Sequence, residues 1–311
     1  VTEPGAWETA AHELRRSTLR GIKRLVRPLW MRRLMRHNLD GRAPLLSSDG
    51  PVVSLTTYEK RWHSVHYTIE SIGCGHLRPS RLVLWIAPTV LQAGTPETLR
   101  RLAARGLEIR TCEDLGPHKK YYPQVNDGPA LRNLVTADDD VLYGADWLQI
   151  LVEAAAQRPD FIHAHRAHVM SFAADGSFLP YARWPACRST APSPLHFTTG
   201  VGGVLYPRAM QEALRNAGDS FRDCCPRADD IWLNAVAWRA GIQVCQTRNF
   251  SPLLFEVPGT RTHGLARENR QSGGNDRQLQ MTYTPEERAR LHALAMSPSP
   301  AKVSVHPAQR L

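Results

Sequence analysis

Residues 135–143, VTADDDVLY, decide how this chain is read. The segment opens apolar and β-branched, as a buried strand does. It then sets Asp138, Asp139 and Asp140 side by side before Val141 and Leu142 resume the apolar pattern. Adjacent ionised carboxylates at the end of a buried strand repel one another, and burying each unpaired costs roughly several kcal/mol. A cation answers that cost. In an extended backbone alternate side chains share a face, so Asp138 and Asp140 are expected together and Asp139 opposite. Two carboxylates about 7 Å apart on one strand face suit a hard divalent ion that also takes phosphate oxygens. A bare D-x-D also has a plainer reading: a polar turn after a strand, with Asp capping the next helix.

Upstream, residues 51–57 (PVVSLTT) predict a strand ending in hydroxyls, and residues 64–72 a helix. Residues 81–87 (RLVLWIA) are continuously apolar after Arg81, the pattern of a strand covered on both faces. Thr95 and Pro96 predict the N-cap and first turn of a helix that Gly106 ends. Residues 107–112 read as a third strand, residues 119–133 as a helix or extended connection, and the aspartate strand comes fourth. This alternation argues an α/β fold with a parallel sheet and right-handed crossovers. Ligands of such sheets gather at the carboxyl ends of the strands, where Thr56, Thr57, Asp114 and the aspartate triplet fall.

Downstream, residues 146–157 predict a helix and residues 161–168 a strand. His163, His165 and His168 on that strand raise a zinc site as a minor reading, weakened because no Cys or further His stands at metal spacing. Residues 175–194 read as a loop over a site. Residues 196–207 (HFTTGVGGVLYP) place Gly200, Gly202 and Gly203 before an apolar VLY, for a bulge or a close backbone approach to a ligand. Residues 225–241 (CPRADDIWLNAVAWRAG) form a second acidic site, with Asp229 and Asp230 opening a helix. Acids in a first turn also serve simply as dipole complements and caps.

Residues 7–37 read as one or two helices broken at Pro28. Apolar positions including Leu25, Leu29, Trp30 and Leu34 recur at helical spacing among many arginines, and Glu13 is the single acid between residues 11 and 37. Such a helix suits an anionic bilayer surface, or packs on the domain with a solvated basic face. The chain has 311 residues, 42% of them apolar, and a net charge of +10, so it can bury a core and favours an anionic partner. Nucleic acid is the weakest such partner, since no recognition motif is present and few aromatics interleave with the basic residues. The 6 cysteines show no C-x-x-C spacing and read as reduced, mostly packing residues of a cytosolic protein. No apolar run is long enough to span a bilayer. Val1 in place of Met is compatible with a trimmed N-terminus. Three divisions are expected: a basic helical extension over 1–45, a main domain over 46–284, and a helix with a Pro/Ser-rich tail over 285–311.

Taken in order, VVSLTTYEKR, LVLWIA, CEDLGPHKKYYP, TADDDVLYGADWL, TGVGGVLYP and CPRADDIWL resemble a nucleotide-sugar glycosyltransferase of the GT-A type, of the kind that builds bacterial surface polysaccharides. The resemblance covers roughly residues 52–241. It implies a Rossmann-like, mixed but mainly parallel sheet flanked by helices, and a sugar donor, most simply a UDP-sugar, with Mn²⁺ or Mg²⁺. It implies that Asp138 and Asp140 hold the metal and the donor diphosphate. Asp139, Thr56, Thr57 and Arg61 then fall near the nucleotide, Glu113 or Asp114 near base or ribose, and Lys119 and Lys120 near phosphate. Residues 200–203 shape the sugar pocket. His263 is the candidate third metal ligand, with Asn275 and Asp276 as rivals. Asp229 or Asp230 matches the catalytic base of inverting members, Asp230 being preferred because Asp229 can serve as the cap.

The expected function is therefore metal-assisted, inverting sugar transfer to a glycan or glycolipid hydroxyl at the inner face of the cell membrane. Two other readings stand beside it. One is a retaining transferase with a structural second acidic pair. The other is a non-catalytic membrane- or polyanion-binding module whose aspartates hold a structural cation.

Overall fold

The computed structural model describes residues 6–130, 132–260 and 273–297. Strands β1 (Val52–Thr56), β2 (Arg81–Ile86), β3 (Leu107–Thr111) and β4 (Leu134–Ala137) carry the apolar runs of the first half. After β5 (Val141–Leu142) come β6 (Ile162–Ala164), β7 (Ala167–Val169), β8 (His196–Thr198), β9 (Val204–Tyr206), β10 (Val244–Gln246) and β11 (Phe255–Glu256). Seven of them form one sheet in the order β10-β6-β9-β4-β1-β2-β3. Within it β3, β2, β1 and β4 are parallel neighbours, and β9 runs antiparallel to both β4 and β6. The expected mixed, mainly parallel sheet flanked by helices is the architecture observed.

The helices are α1 (Ala6–Asp40), α2 (Val65–Gly73), α3 (Glu97–Ala104), α4 (Trp147–Gln157), α5 (Arg208–Ala217), α6 (Asp229–Arg239), α7 (Gly274–Thr282) and α8 (Pro285–Met296). Apolar clusters cover both sheet faces. On one, Val53, Leu55, Leu82 and Leu84 meet Ile69, Leu99, Leu102 and Leu151 of the helices. On the other, Leu134, Ile162, Val204 and Tyr206 meet Met210, Leu214, Ile231 and Ala235. Burial from both sides explains why these strands read as unbroken apolar runs rather than as alternation.

Three local expectations change. The 135–143 segment is not one strand: β4 ends at Ala137, the aspartates turn, and β5 resumes at Val141. The period-two rule therefore fails for the triplet, because a turn rotates successive side chains off the two faces of a strand. Helix α3 begins at Glu97 with Pro96 at its N-cap and no side-chain cap bond, so Thr95 does not cap it. Helix α1 runs through Pro28 without a break.

The glycines of residues 200–203 have a packing reason. Gly203 has φ +95°, and a Cβ there would lie 2.6 Å from the Trp147 indole, whose Nε1 donates to the Gly202 carbonyl at 2.6 Å. Gly203→Ala should therefore destabilise the fold by about 1–3 kcal/mol, through overpacking and a backbone region that disfavours a side chain. The urea unfolding midpoint measures this; an unchanged midpoint contradicts it.

Candidate functional site

The turn after β4 meets two other segments at the carboxyl edge of the sheet. Each aspartate of the triplet has its own partner. Asp139 points into the fold, where it accepts from Thr57 Oγ1 at 2.6 Å and pairs with Arg61. Thr68 of α2 donates to its backbone carbonyl at 3.0 Å. The same guanidinium reaches Asp140 at 2.8 Å and donates to the Thr260 carbonyl at 3.1 Å. Arg61 is thereby a clamp between the strand ends. Burial lowers its pKa, but Asp139 and Asp140 outweigh burial and hold it above its ordinary value.

Asp138 faces the other way. Its Oδ1 accepts from Lys120 Nζ at 2.8 Å, and its backbone N–H donates to the Tyr143 hydroxyl at 2.9 Å. Lys120 also lies 3.0 Å from Asp229 Oδ2 at the start of α6. That contact is an ion pair off hydrogen-bonding geometry, since Asp229 Oδ2 is buried without a hydrogen bond. Burial would pull the ammonium down, but Asp138, Asp229 and Asp230 together hold its pKa well above the ordinary lysine value. One buried cation thus joins two acidic motifs that lie 90 residues apart in sequence, counting from 139 to 229.

Gly200 completes the arrangement. Its N–H donates to Asp230 Oδ1 at 2.8 Å. A Cβ at this position would lie 2.9 Å from Lys120 Nζ, 3.1 Å from Asp230 Oδ1 and 3.4 Å from Asp138 Oδ1. The missing side chain is what lets the turn approach the charged cluster. Asn234, one turn along α6, donates to the Asp230 carbonyl at 2.7 Å and to the Thr198 carbonyl at 3.1 Å. It ties the acidic end of the helix to β8. Asp229 and Asp230 are the first two residues of α6 and make no side-chain cap bond, so Asp229 is not the cap that its position suggested.

Two carboxylates here are poised near neutrality. Burial, with the charge of Asp229 adding and Lys120 opposing, pushes Asp230 up to about 7. Burial likewise pushes Asp140 up to about 7 against the pull of Arg61.

Other expected site residues are engaged elsewhere. Thr56 Oγ1 donates to the Trp85 carbonyl at 2.8 Å. Thr57 and Asp139, expected at a nucleotide, are bound to each other inside the fold. Lys119 pairs with the exposed Asp114, and Glu113 pairs with Arg222. Asp276 accepts from the Tyr181 N–H at 2.7 Å, and Asn275 is buried on α7. His263 lies outside the described residues. His163, His165 and His168 each bond a backbone carbonyl rather than one another, which removes the zinc reading. Sequence reasoning missed the roles of Tyr143, Thr198 and Asn234, because nothing in their local pattern marks them as supports of the charged cluster.

Among the described residues no group of three or more His, Cys, Asp or Glu side chains is placed to hold a metal ion. Asp138 and Asp140 do keep 24% and 18% of their side chains exposed, against 7% for Asp139. Mg²⁺-type sites are commonly built from one or two carboxylates with substrate phosphates and water completing the shell. Asp138 is paired with Lys120 and Asp140 with Arg61, so an ion taken by their exposed oxygens would need phosphate and water for the rest of its shell, and no all-protein cage is formed among the described residues.

No family model matches the chain, and no curated protein matches it. Solved structures that resemble it include mannosyltransferase PcManGT from Pyrobaculum calidifontis in complex with GDP-Man and Mn²⁺. The two chains are 16% identical with a TM-score of 0.49, over 89% of this chain and 79% of that one. S. aureus TarS 1-349 is 10% identical with a TM-score of 0.46, over 78% and 69% respectively. A 4-diphosphocytidyl-2C-methyl-D-erythritol synthase is 8% identical with a TM-score of 0.41, over 79% and 98%. All three likenesses are distant.

The Arg61 clamp is open to direct test. Arg61→Ala leaves Asp139 buried without its counter-charge and should cost about 3–5 kcal/mol of stability. Urea denaturation measures the loss, and a loss below about 1 kcal/mol, the range of an exposed pair, contradicts a buried role.

Proposed function

We propose that the chain is a nucleotide-sugar glycosyltransferase that moves a sugar to a glycan or lipid-linked hydroxyl with inversion at the anomeric carbon. The observation that carries this reading is the convergence of Asp138, Lys120, Asp229 and Asp230 around the bare backbone of Gly200. The acidic turn after β4 and the acidic start of α6 thereby share one buried lysine beside a backbone without a side chain. The resemblance of the ordered motifs supports the same reading.

In this reading Asp138 and Asp140 would hold a divalent ion, Mn²⁺ or Mg²⁺, together with the donor's phosphates. Bound there, the ion would neutralise the donor diphosphate and the negative charge that grows on the leaving phosphate. Lys120 adds a fixed positive charge in a site that excludes water, where it acts at full strength. Asp229 balances Lys120. Asp230 is left as the group that accepts the proton of the acceptor hydroxyl. A general base works best when its pKa lies near the working pH, and Asp230 is pushed up to about 7. The Gly200 N–H fixes one of its oxygens and leaves the other for the acceptor. A single carboxylate facing the donor's departing phosphate suits one displacement, hence inversion.

The sign of the pH dependence follows. Asp230 must be ionised to act, so kcat/KM should rise tenfold per pH unit below about 7 and level off above it. Asp230→Asn should lower kcat by about 10²–10⁴-fold and abolish that slope. Release of nucleoside diphosphate from a panel of nucleotide sugars, with Mn²⁺ present, is the measurement. An Asp230→Asn enzyme with full activity removes the base assignment, and a product of retained configuration removes inversion. Calorimetry of nucleotide sugars with and without Mn²⁺ tests the class itself. No heat in either case favours a non-catalytic module.

We also infer that the protein sits on an anionic membrane surface at the cytoplasmic side through α1. The helix has two apolar groups, not one. Trp30 and Leu34 face the domain, with Trp30 edge-on to Phe255 at 5.5 Å and Leu34 buried beside Leu142 and Val257. Lys23 pairs with Glu256 on the same side. The opposite face leaves Leu25 and Leu29 exposed at 75% and 64%, with Ile22 and Val26 beside them. Arg32, Arg33 and Arg36 follow on the exposed side. Among the described residues no helix is long and apolar enough to cross a membrane, and a surface contact needs none. Leu25→Ser with Leu29→Ser should release the protein from phosphatidylglycerol-containing vesicles in flotation, and wild-type protein should not float with neutral vesicles. Equal binding to both vesicle types contradicts the electrostatic part.

A further inference from the structure

The acidic cluster takes the carboxyl edge of the sheet, and a pocket of about 540 Å³ opens at the amino edge. That volume lies within the range of small-molecule sites. Four segments frame it: the loop into β1, the start of β2, the segment from Gln124 that leads into β4, and one face of α5. None of its lining residues belongs to the acidic cluster. Strand β1, 5 residues long, stands between the two, a separation of roughly 17 Å. A small ligand cannot touch both.

Side chains of the pocket fix its own walls. Arg215 of α5 donates from Nε to the Val125 carbonyl at 2.9 Å and from its terminal nitrogen to the Gly128 carbonyl at 2.6 Å. Gln211, one turn earlier on the same face, donates to the Arg132 carbonyl at 2.9 Å. Arg132 in turn reaches the Gly50 carbonyl at 3.3 Å. A Cβ at Gly50 would lie 2.0 Å from the Arg78 carbonyl oxygen, so a glycine lets this loop close on the start of β2.

Charge in the pocket is not balanced. Arg81 is matched: Glu108 takes it at two points, 2.6 and 2.7 Å, and Asp127 adds a contact at 3.0 Å. Asp127, the acid of the lining, is itself shared between Arg81 and Arg110. Arg132 and Arg215 bond backbone carbonyls, and among the described residues neither has a carboxylate partner. Each guanidinium keeps further N–H donors. Ser80 adds a hydroxyl to the lining. Gln124, also in the lining, has its Oε1 buried without a donor, a cost of about 1–3 kcal/mol that a ligand hydroxyl would answer.

We propose that this pocket binds a phosphomonoester carried on a hydroxylated body, the chemistry of a sugar phosphate, with its phosphate on Arg132 and Arg215. Two unmatched guanidiniums suit a dianion, and a phosphomonoester carries nearly two negative charges at neutral pH. The guanidinium fork also fits phosphate oxygens pairwise. The serine and glutamine groups both donate and accept, as hydroxyls require. The inference stands on the pocket alone and does not depend on the transferase reading.

Calorimetric titration of the full chain in EDTA at pH 8 tests it, with glucose 6-phosphate, inorganic phosphate, glucuronate and glucose as probes. Glucose 6-phosphate should bind tightest and glucose not at all. Its affinity should fall between pH 8 and pH 5, as the phosphate takes up a proton near its second pKa of about 6. Arg132→Ala, at an exposed side chain, should weaken glucose 6-phosphate at least about tenfold with an unchanged urea midpoint. Ser80→Ala should weaken it about two- to tenfold. No binding of glucose 6-phosphate, or wild-type affinity in Arg132→Ala, overturns the proposal. Glucose binding as well as its phosphate removes the role of charge and overturns it too. Tighter binding of glucuronate assigns the pocket to a carboxylate sugar and overturns the dianion. Inorganic phosphate binding as tightly as glucose 6-phosphate assigns it to the free ion and overturns the hydroxylated body.

Discussion

The structure depends on neutralising five carboxylates crowded at one sheet edge with two buried cations. Asp138, Asp139, Asp140, Asp229 and Asp230 meet Arg61 and Lys120, and the two cations divide the work. Arg61 is planar and presents several donors in a fixed fork, so it can bind two carboxylates and a carbonyl at once. It serves Asp139, which is turned into the fold, and Asp140 beside it. Lys120 is a compact charge on a long stem, and it sits buried between Asp138 and Asp229. More negative than positive charge remains, and that surplus explains why burial can drive Asp140 and Asp230 up to about 7. A site with unmatched carboxylates near neutrality takes up a proton or a metal ion readily.

The Gly200–Gly203 turn is the mechanical centre of the same region. Its backbone closes through the Gly203 N–H to the Gly200 carbonyl at 2.9 Å. One side touches the charged cluster and the other touches Trp147. Because β9 runs against its neighbours, this turn enters the sheet at the edge where the parallel strands end. The single reversed strand is therefore what brings a glycine backbone to the carboxylates. Helix α1 plays the outer role. Its inward face is anchored on β11 and β5, the strand that follows the aspartate turn.

Much of this was legible in order along the chain. RLVLWI read as a doubly covered strand because each residue after Arg81 is apolar, and it is β2. The D-D-D and A-D-D segments were legible as acidic sites, since clustered carboxylates beside apolar runs are costly without a partner. The identity of the partners was not. Lys120 read as a phosphate ligand from its place after β3, and only folding shows it 2.8 Å from Asp138 and 3.0 Å from Asp229. Trp30 read as part of an apolar face that either a bilayer or the domain could cover, because a helical period reports a face and not what covers it. The face it marks is packed on Phe255.

Sequence by itself determined the elements, the mainly parallel sheet and the positions where acids cluster, because periodicity and the cost of burying charge act over a few residues. Tertiary structure decided which acid meets which cation, which aspartate is turned inward, and which side of α1 remains free. Those outcomes depend on contacts between segments about 20 to 200 residues apart, such as Lys120 with Asp138 and Arg61 with Thr260. No local pattern encodes a distance of that kind. It is set when the sheet closes and its strand ends come to a common edge.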